Sequence, residues 1–306
     1  MKKIEIITHN GKFHADDVCA VAVLKIWIEK NGSKNFFGET KIEIIRTRDA
    51  DIIKSGDIAV DVGGIYNPAK FRFDHHQNGL GKRLNGIPYA AFGLVWKEYG
   101  EEICGSPEIA EEIDARIIQS IDALDNGVNI CEPVFPNSRP YLFSDTIDAF
   151  NFLLKGNEES LDKNFLAAVD LTKNILEREI KKARAEIKEK ELIKKIYEQT
   201  EDKRIIILDR YYSDSAWQKT LEKYPEPIYV VRTARENKLW QVRAIKKMEG
   251  SFESCRDLPK KWAGEVDAEL VRRTGVPDAI FCHNKRFIAV ARSKEGALKL
   301  ARLALK

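Results

Sequence analysis

The sequence has little of what marks several common protein classes. Its 5 cysteines among 306 residues are scattered and form no Cys-x-x-Cys pair, which argues against a zinc knuckle. No stretch approaches the roughly 18 apolar residues of a membrane helix, so we expect no membrane partner. The first residues alternate like a strand and lack the long apolar core of a signal peptide. Together these absences predict a reduced, cytoplasmic setting.

A large excess of charge of one sign is also missing. Lys plus Arg number 51 and Asp plus Glu number 48, for a net charge of +3, so any basic surface must be local. Hydrophobic residues make up 43% of the chain and charged residues 32%, which excludes a disordered chain and a membrane-spanning one. The length points to two domains or to one large domain.

Strand-like and helix-like segments alternate over the first 125 residues. This alternation predicts an α/β fold with a mainly parallel sheet, which we assign to a catalytic domain at 1–155. The predicted strands are 3–8, 42–47, 58–62 and 71–74, and the predicted helices are 16–30, 90–99 and 108–124.

One long helix is predicted from 161 to about 199, because its apolar residues keep to steps of three, four and seven. Most residues between Glu177 and Lys195 are charged, which is typical of a solvated helix that joins two domains. Nucleic-acid binding by this helix is the alternative. We therefore predict a connecting helix at 156–200 and a smaller α/β domain, for binding the substrate, at 201–306.

Histidines and aspartates cluster where predicted strands end. Because the carboxyl ends of parallel strands share one edge of a sheet, we expect these clusters to converge on one site. The clusters contain His9, His14, Asp16 and Asp17, then Asp61 before Gly63-Gly64, then Asp74, His75 and His76, and finally Asp122 and Asp125.

Imidazole and carboxylate ligands without thiolate suit manganese, iron or magnesium better than structural zinc. A carboxylate such as Asp61 can bridge two ions, and two ions can activate a water for phosphoryl transfer. Each residue alone has an ordinary alternative, since a strand-end Asp is usually a cap or a turn residue. Asp17 could cap the first helix, and Asp122 could face a helix interior. The clustering as a whole favours a metal site.

The motifs around these residues resemble a known family. Asp74-His75-His76 resembles the signature of the DHH phosphoesterase superfamily, and the wider set resembles the MYG (melanocyte proliferating gene) family within it. The resemblance implies a two-domain hydrolase with a dinuclear site for two Mn²⁺ ions, or Mg²⁺ or another divalent ion, and 3′-to-5′ exonuclease activity on RNA. It covers nearly the whole chain and rests on 8–17, 61–64, 66–68, 74–77, 122–127, 258–264 and 280–283.

The resemblance also implies a role for each candidate metal ligand. Superfamily members usually have Asp where His14 stands, so this residue is a departure from the pattern. The implied ligands are His9 and His14 for the first ion, Asp16, His75 and Asp125 for the second, and Asp61 between the two.

Two further residues are implied as catalytic. His76 would hold the substrate phosphate, and Asp74 would orient its neighbours. Near Ala90 or Ala91 many relatives carry Ser, which implies that a hydroxyl contact to the substrate is missing here.

The predicted second domain has its own candidate substrate contacts. His283 lies at a strand end in a polar segment, and related phosphoesterases place a substrate-binding histidine in this domain. A surface turn is the ordinary alternative. Arg243 belongs to a basic strip that suits single-stranded nucleic acid, although alternating charge is also ordinary for a half-exposed sheet. The strip comprises Arg232, Arg235, Lys238, Arg243 and Lys246, with Trp240 among them.

Three functions remain open from the sequence. The first is a metal-dependent 3′-to-5′ exoribonuclease whose partner is single-stranded RNA or a short oligonucleotide. The second keeps the metal chemistry but acts on a small molecule such as pyrophosphate, a dinucleotide or a cyclic dinucleotide, which suits the nearly neutral net charge. The third is an inactive nucleic-acid-binding protein, against which the intact ligand positions argue.

Overall fold

The computed structural model describes residues 2–32, 40–153, 160–234, 239–248, 251 and 253–306. The chain forms two compact units, Met1–Arg184 and Ala185–Lys306. The predicted boundary between 155 and 156 lies outside the described residues.

The first unit contains a mainly parallel sheet, as predicted. Within the described residues the strand order is β2-β1-β3-β5-β4, and every pairing is parallel except that of β4 with β5. The side chains of β3 are all buried. The strands are β1 (Lys2–Thr8), β2 (Thr40–Arg46), β3 (Ile58–Val60), β4 (Tyr66–Asn67) and β5 (Arg72–Phe73).

Several helices pack against this sheet. The side chains of α1 from Val18 to Leu24 are all buried, since the helix is apolar on every side and packs on α3. A π-helical segment, Asp114–Ile118, joins α4 to α5 without a break. The helices are α1 (Ala15–Gly32), α2 (Ala50–Ser55), α3 (Ala91–Cys104), α4 (Pro107–Ile113), α5 (Gln119–Asp125), α6 (Phe143–Ala149) and α7 (Leu161–Gln199).

The second unit has a mixed sheet with the order β6-β7-β8-β10-β9 in the described part of the chain. Only the β6–β7 pairing of these is parallel. The strands are β6 (Ile205–Leu208), β7 (Tyr229–Thr233), β8 (Trp240–Ala244), β9 (Ala279–Cys282) and β10 (Ile288–Ala291), and the helices are α8 (Asp214–Leu221), α9 (Asp267–Thr274) and α10 (Lys294–Ala304).

Two hydrophobic cores lie on the two faces of this second sheet. Alternation along β7 sends Tyr229 and Val231 into one core and Val230 into the other. The first core includes residues of α9 and α10, and the second includes residues of α8 and the last turns of α7. The α/β class predicted from the sequence is confirmed in both units.

The long helix predicted from 161 to about 199 is α7, and the boundary between the two units falls within it. None of the helices in the described part of the chain combines the length and the apolar composition that crossing a bilayer requires.

Candidate metal centre

The carboxyl ends of β1, β3 and β5 carry most of the predicted site residues. These strands are neighbours and run parallel, so the segments that follow them meet at one edge of the sheet. The groups that could hold a metal ion among the described residues form what we call the His–Asp cluster: His9, His14, Asp16, Asp17, Asp61, His75, His76 and Asp125.

The first turn of α1 supplies two aspartates to the cluster. Asp17 Oδ1 accepts the His14 N–H at 2.9 Å, which satisfies a backbone donor at the helix start. Its other oxygen, Oδ2, lies 3.2 Å from His9 Nε2. Asp17 therefore caps the helix and also belongs to the cluster.

Asp61 contacts imidazoles that come from two different strand ends. Its backbone has a φ of 53°, in the left-handed region that Asp and Asn tolerate better than most residues. Its Oδ2 lies 3.4 Å from His9 Nε2, and its Oδ1 lies 3.3 Å from His75 Nε2. This carboxylate thus connects the residues that follow β1 with those that follow β5.

Asp74 is buried and holds the segment after β5. Its Oδ2 accepts the Gly64 N–H at 2.5 Å, where Gly64 has a φ of 67° that favours glycine. Its Oδ1 accepts the His76 N–H at 3.0 Å and lies 2.7 Å from His76 Nδ1. The ring of His76 is thereby oriented, while 63% of its side chain stays exposed.

Asp125, the last residue of α5, completes the cluster from the helical side. Its Oδ2 lies 3.2 Å from His75 Nε2. With His14 and Asp16 it forms a group whose ligand atoms all lie within 4.8 Å of one another.

Asp16 is fully buried, and no described residue donates a hydrogen bond to either of its carboxylate oxygens. The nearest imidazole nitrogen, His75 Nε2, is 3.8 Å from Oδ2. Burial and the charges of Asp61 and Asp125 raise the pKa of Asp16 well above its usual value. Because a buried carboxylate without donors is costly, these residues fit a divalent cation held by oxygen and imidazole ligands.

The imidazoles and the central carboxylate influence one another's pKa. Burial lowers the pKa of His9, but hydrogen bonds with Asp17 and Asp61 outweigh it and raise that pKa to about 10. The pKa of His75 is likewise raised to about 10, against burial, by Asp125 and Asp61. Burial would raise the pKa of Asp61, yet His75 and His9 lower it to about 2. Two imidazolium cations thus balance part of the negative charge in the metal-free cluster.

The structure groups these ligands differently from the resemblance. His14 lies with Asp16 and Asp125, and its ring centroid is 5.9 Å from that of His9. The residue grouped with His9 and Asp61 is Asp17, for which the sequence left a capping role and a ligand role open. Its place at the third position of α1 lets one side chain cap the helix and also lie in a candidate metal group.

Asp122 lies outside the candidate metal groups of the described residues. It is buried, its Oδ1 accepts the Gly93 N–H at 3.0 Å, and its Oδ2 lies 2.8 Å from Arg83 Nη1. Burial raises its pKa to about 7, although Arg83 opposes this shift. Asp122 therefore faces the interior, as one of the two interpretations of the sequence expected.

A cavity of about 380 Å³ lies beside the His–Asp cluster. His14 and Asp125 line it together with Ser144, Asp145 and Asp148 of α6. This helix is not predicted from the sequence, because its seven residues follow a proline-containing segment and show no helical repeat of their own.

The second unit contains a larger cavity, of about 750 Å³. His283 and Arg243, the two predicted substrate contacts, both line it. His283 Nδ1 accepts the Lys285 N–H at 3.0 Å, and the ring centroids of His283 and Phe287 are 4.5 Å apart. Other lining residues include Asp214, Trp217, Gln218, Lys246, Lys285 and Phe287.

The predicted basic strip is only partly available for nucleic acid. Arg232 is buried and forms an ion pair with Asp214, so its charge is already balanced. Arg243 and Lys246 line the cavity, whereas Arg235 and Lys238 lie outside the described residues.

Comparison with known proteins matches residues 5–305 to the MYG1 exonuclease profile, described as uncharacterised protein family UPF0160. A MYG1 protein of Schizosaccharomyces pombe is 29% identical over 99% of this chain and 97% of its own length. A MYG1 protein of Dictyostelium discoideum is 30% identical over 98% and 96%. The protein named MYG1 exonuclease of Homo sapiens is 27% identical over 97% and 85%.

Among solved structures, RecJ from Thermus thermophilus in complex with Mn²⁺ matches 98% of this chain and 52% of its own, at 12% identity and a TM-score of 0.29. A likeness of that size supports no inference about this chain.

Proposed function

Because the chain belongs to the MYG1 exonuclease family, we propose that it is a metal-dependent phosphodiesterase. In its concrete form the proposal is a 3′-to-5′ exonuclease that acts on single-stranded RNA or short oligonucleotides in the cytoplasm. The observation that carries it is the buried carboxylate of Asp61, in contact with both His9 and His75. A carboxylate between two imidazole-containing groups suits a bridge between two metal ions.

Two divalent ions, Mn²⁺ in the first instance and otherwise Mg²⁺ or a similar ion, would be held by the His–Asp cluster. His9, Asp17 and Asp61 form one candidate ligand group, and Asp61 with His75 and His76 forms another. The group of His14, Asp16 and Asp125 adds two further carboxylates. Bound ions supply an activated water and stabilise the leaving oxygen of a phosphodiester.

We assign His76 to the substrate phosphate rather than to a metal ion, because its Nδ1 is already bonded to Asp74, and we assign Asp74 to positioning that histidine. Asp74 accepts from Nδ1 and fixes the ring, which leaves Nε2 of an exposed side chain facing outward, and in its imidazolium form His76 can donate from Nε2 to a phosphate oxygen. The same carboxylate accepts the Gly64 N–H, so it also holds the turn that follows Asp61.

The cavity of the second unit is the proposed contact for the rest of the substrate. Arg243 can pair with a phosphate, His283 can donate to it, and Phe287 offers a ring for stacking. This assignment makes 1–155 the catalytic part and 201–306 the substrate-binding part of the chain.

The test is hydrolysis of a 5′-labelled short RNA with added Mn²⁺, with the Asp61→Asn variant beside the unchanged chain. Asn tolerates the left-handed backbone at this position, so the fold is kept while the bridging charge is lost. We expect a ladder of products that shortens from the 3′ end, and a rate of hydrolysis that is at least ~100-fold lower in the variant. Asp170→Asn, which alters an exposed carboxylate of α7, should leave the ladder unchanged.

Pyrophosphate and dinucleotides are assayed in parallel. Turnover of these alone would contradict an exonuclease and move the function to small phosphorylated molecules. Mn²⁺ binding without turnover of any substrate would leave nucleic-acid binding as the function.

Substrate binding by the second unit is tested with Arg243→Gln. The variant should raise KM for the RNA about tenfold and leave kcat within about threefold, because a phosphate contact is lost while the metal ligands are intact. Arg272→Gln is the matched control, since Arg272 is exposed on α9 and pairs with Glu269. An unchanged KM would remove Arg243 from the substrate site.

A further inference from the structure

Arg83 connects two carboxylates across the π-helical segment. Its Nε and Nη2 donate to Asp114 Oδ2 and Oδ1 at 3.2 and 2.9 Å, and its Nη1 lies 2.8 Å from Asp122 Oδ2. Asp114 begins the π segment and Asp122 lies in α5, and only 7% of the Arg83 side chain is exposed. One guanidinium thus binds carboxylates at the start of the π-helical turn and beyond its end.

The π turn explains why both carboxylates face Arg83. Asp114 and Asp122 are eight residues apart, which in an α-helix of about 100° per residue would separate them by about 80°. The Gln119 N–H donates to the Asp114 carbonyl, five residues back, so this turn takes up one additional residue. With that residue absorbed, the separation falls to about 20° and both side chains share one face.

The same turn sets the direction of Asp125. Asp125 follows Asp122 by three residues, which places it about 60° away around the helix. Without the π turn, Asp125 rather than Asp122 would share the face of Asp114. By binding Asp114 and Asp122, Arg83 therefore fixes the rotation of α5 and with it the direction in which Asp125 faces His75.

The neighbourhood of this pair is tightly packed. A Cβ at Gly93 would lie 1.8 Å from Asp122 Oδ2 and 2.6 Å from Arg83 Nη2. The Arg83 guanidinium also lies 4.2 Å from the ring centroid of Tyr89. These contacts leave little freedom for the helix to rotate.

We propose that Arg83 and Asp114 are positioning residues that hold the π turn and thereby aim Asp125 at the metal centre. Neither residue belongs to the candidate metal groups of the described residues. The proposal rests on the proposed metal centre, but its readouts do not require hydrolysis.

The test uses the full chain with Asp114→Asn and Arg83→Lys. Asp114→Asn keeps the buried Arg83–Asp122 pair, and Arg83→Lys keeps a cation beside Asp122 but loses the fork that spans both carboxylates. Each should weaken Mn²⁺ binding, measured by calorimetry, about tenfold. The matched control is Glu111→Gln, an exposed carboxylate of α4, which should change the affinity less than twofold.

A double variant distinguishes a positioning role of Asp114 from a general loosening of the fold. Adding Asp114→Asn to Asp125→Asn should weaken Mn²⁺ binding less than twofold further, because the carboxylate that Asp114 helps to aim is already gone. A tenfold loss in both backgrounds, or no loss in either, would overturn the proposal.

Amide exchange of 119–127 in the metal-free chain gives a third readout. It should be at least tenfold faster in Asp114→Asn than in Glu111→Gln, and equal exchange would overturn the proposal. If the variants weaken Mn²⁺ binding and speed amide exchange as expected but the unchanged chain hydrolyses no substrate, only the proposed function is contradicted. If the unchanged chain does not bind Mn²⁺, the positioning role is overturned as well.

Discussion

At the residue scale, Asp16 is a buried carboxylate that lowers the stability of the metal-free fold. Both of its oxygens are buried without donors, and other carboxylates surround it. A residue selected for stability alone would not be a carboxylate at this position. Residues of this kind are typical of functional sites, where groups needed by the chemistry are kept at a cost elsewhere.

Asp16→Asn should therefore stabilise the metal-free chain and weaken its metal site. At pH 8 we expect a gain of about 1 kcal/mol in the free energy of unfolding, because Asn requires neither a buried charge nor the uptake of a proton on folding. The affinity for Mn²⁺ should fall at least ~10-fold. Thermal unfolding and calorimetry measure the two effects, with Asp170→Asn as a neutral control, and a lower Tm in the metal-free variant would contradict the interpretation.

The histidines of the cluster predict a pH dependence. His9 and His75 have pKa values of about 10 in the metal-free fold, above the usual 6.5, so their protonation stabilises that fold. This stabilisation is complete below pH 6.5 and is lost as the pH rises through about 10. An imidazole must be neutral to ligate a metal, so Mn²⁺ binding through these two histidines would release both protons.

We therefore expect Mn²⁺ affinity to rise by up to ~100-fold per pH unit between pH 7 and 9, with up to two protons released per chain. Titration calorimetry in buffers of different ionisation enthalpy counts the protons. In the same range the Tm of the metal-free chain should fall while the shift produced by Mn²⁺ grows. An affinity independent of pH would show that the imidazoles are already neutral.

At the element scale, the strand ends could be predicted and the helix rotation could not. His9, Asp61 and His75 were predicted to converge because parallel strands share an edge, and that inference needs only the order of strands and helices. The way in which the candidate ligands are grouped depends on the left-handed backbone at Asp61 and on the π turn at Asp114–Ile118. A periodic pattern over 108–124 indicates one helix and gives no sign of such a turn, and the short α2, β4 and α6 carry too few residues for a pattern.

Gly93→Ala tests how tightly α3 packs against α5. Helix propensity alone predicts that Ala stabilises a helical position by about 1 kcal/mol. The added Cβ would instead meet Asp122 Oδ2 at 1.8 Å, inside a buried ion pair that cannot move into solvent. We expect a loss of about 2–4 kcal/mol by chemical denaturation, whereas Glu101→Ala on the exposed side of α3 should change stability by less than ~0.5 kcal/mol. A stabilised Gly93→Ala would refute this packing.

At the scale of the whole molecule, α7 is more than a connection between two units. Charge density along 177–195 predicts a solvated helix, yet Ile193 and Tyr197 near its end are buried in the core of the second unit. Glu189 accepts hydrogen bonds from Ser213 N–H and Oγ at 2.9 and 2.6 Å, at the start of α8. The compact unit accordingly begins at Ala185, whereas the sequence predicts a domain from 201.

Two fragments distinguish these boundaries. A fragment of 185–306 keeps Ile193 and Tyr197, and we expect it to unfold in one cooperative transition. A fragment of 201–306 lacks both, and the loss of two buried side chains at about 1.5–3 kcal/mol each amounts to about 3–6 kcal/mol. Since small domains have only about 5–15 kcal/mol in total, the shorter fragment should show a Tm at least 10 °C lower or no transition by circular dichroism. The control is Glu191→Ala in the longer fragment, which alters an exposed residue of the same helix and should leave the Tm nearly unchanged. Equal Tm values for the two fragments would mean that the last turns of α7 do not stabilise this core.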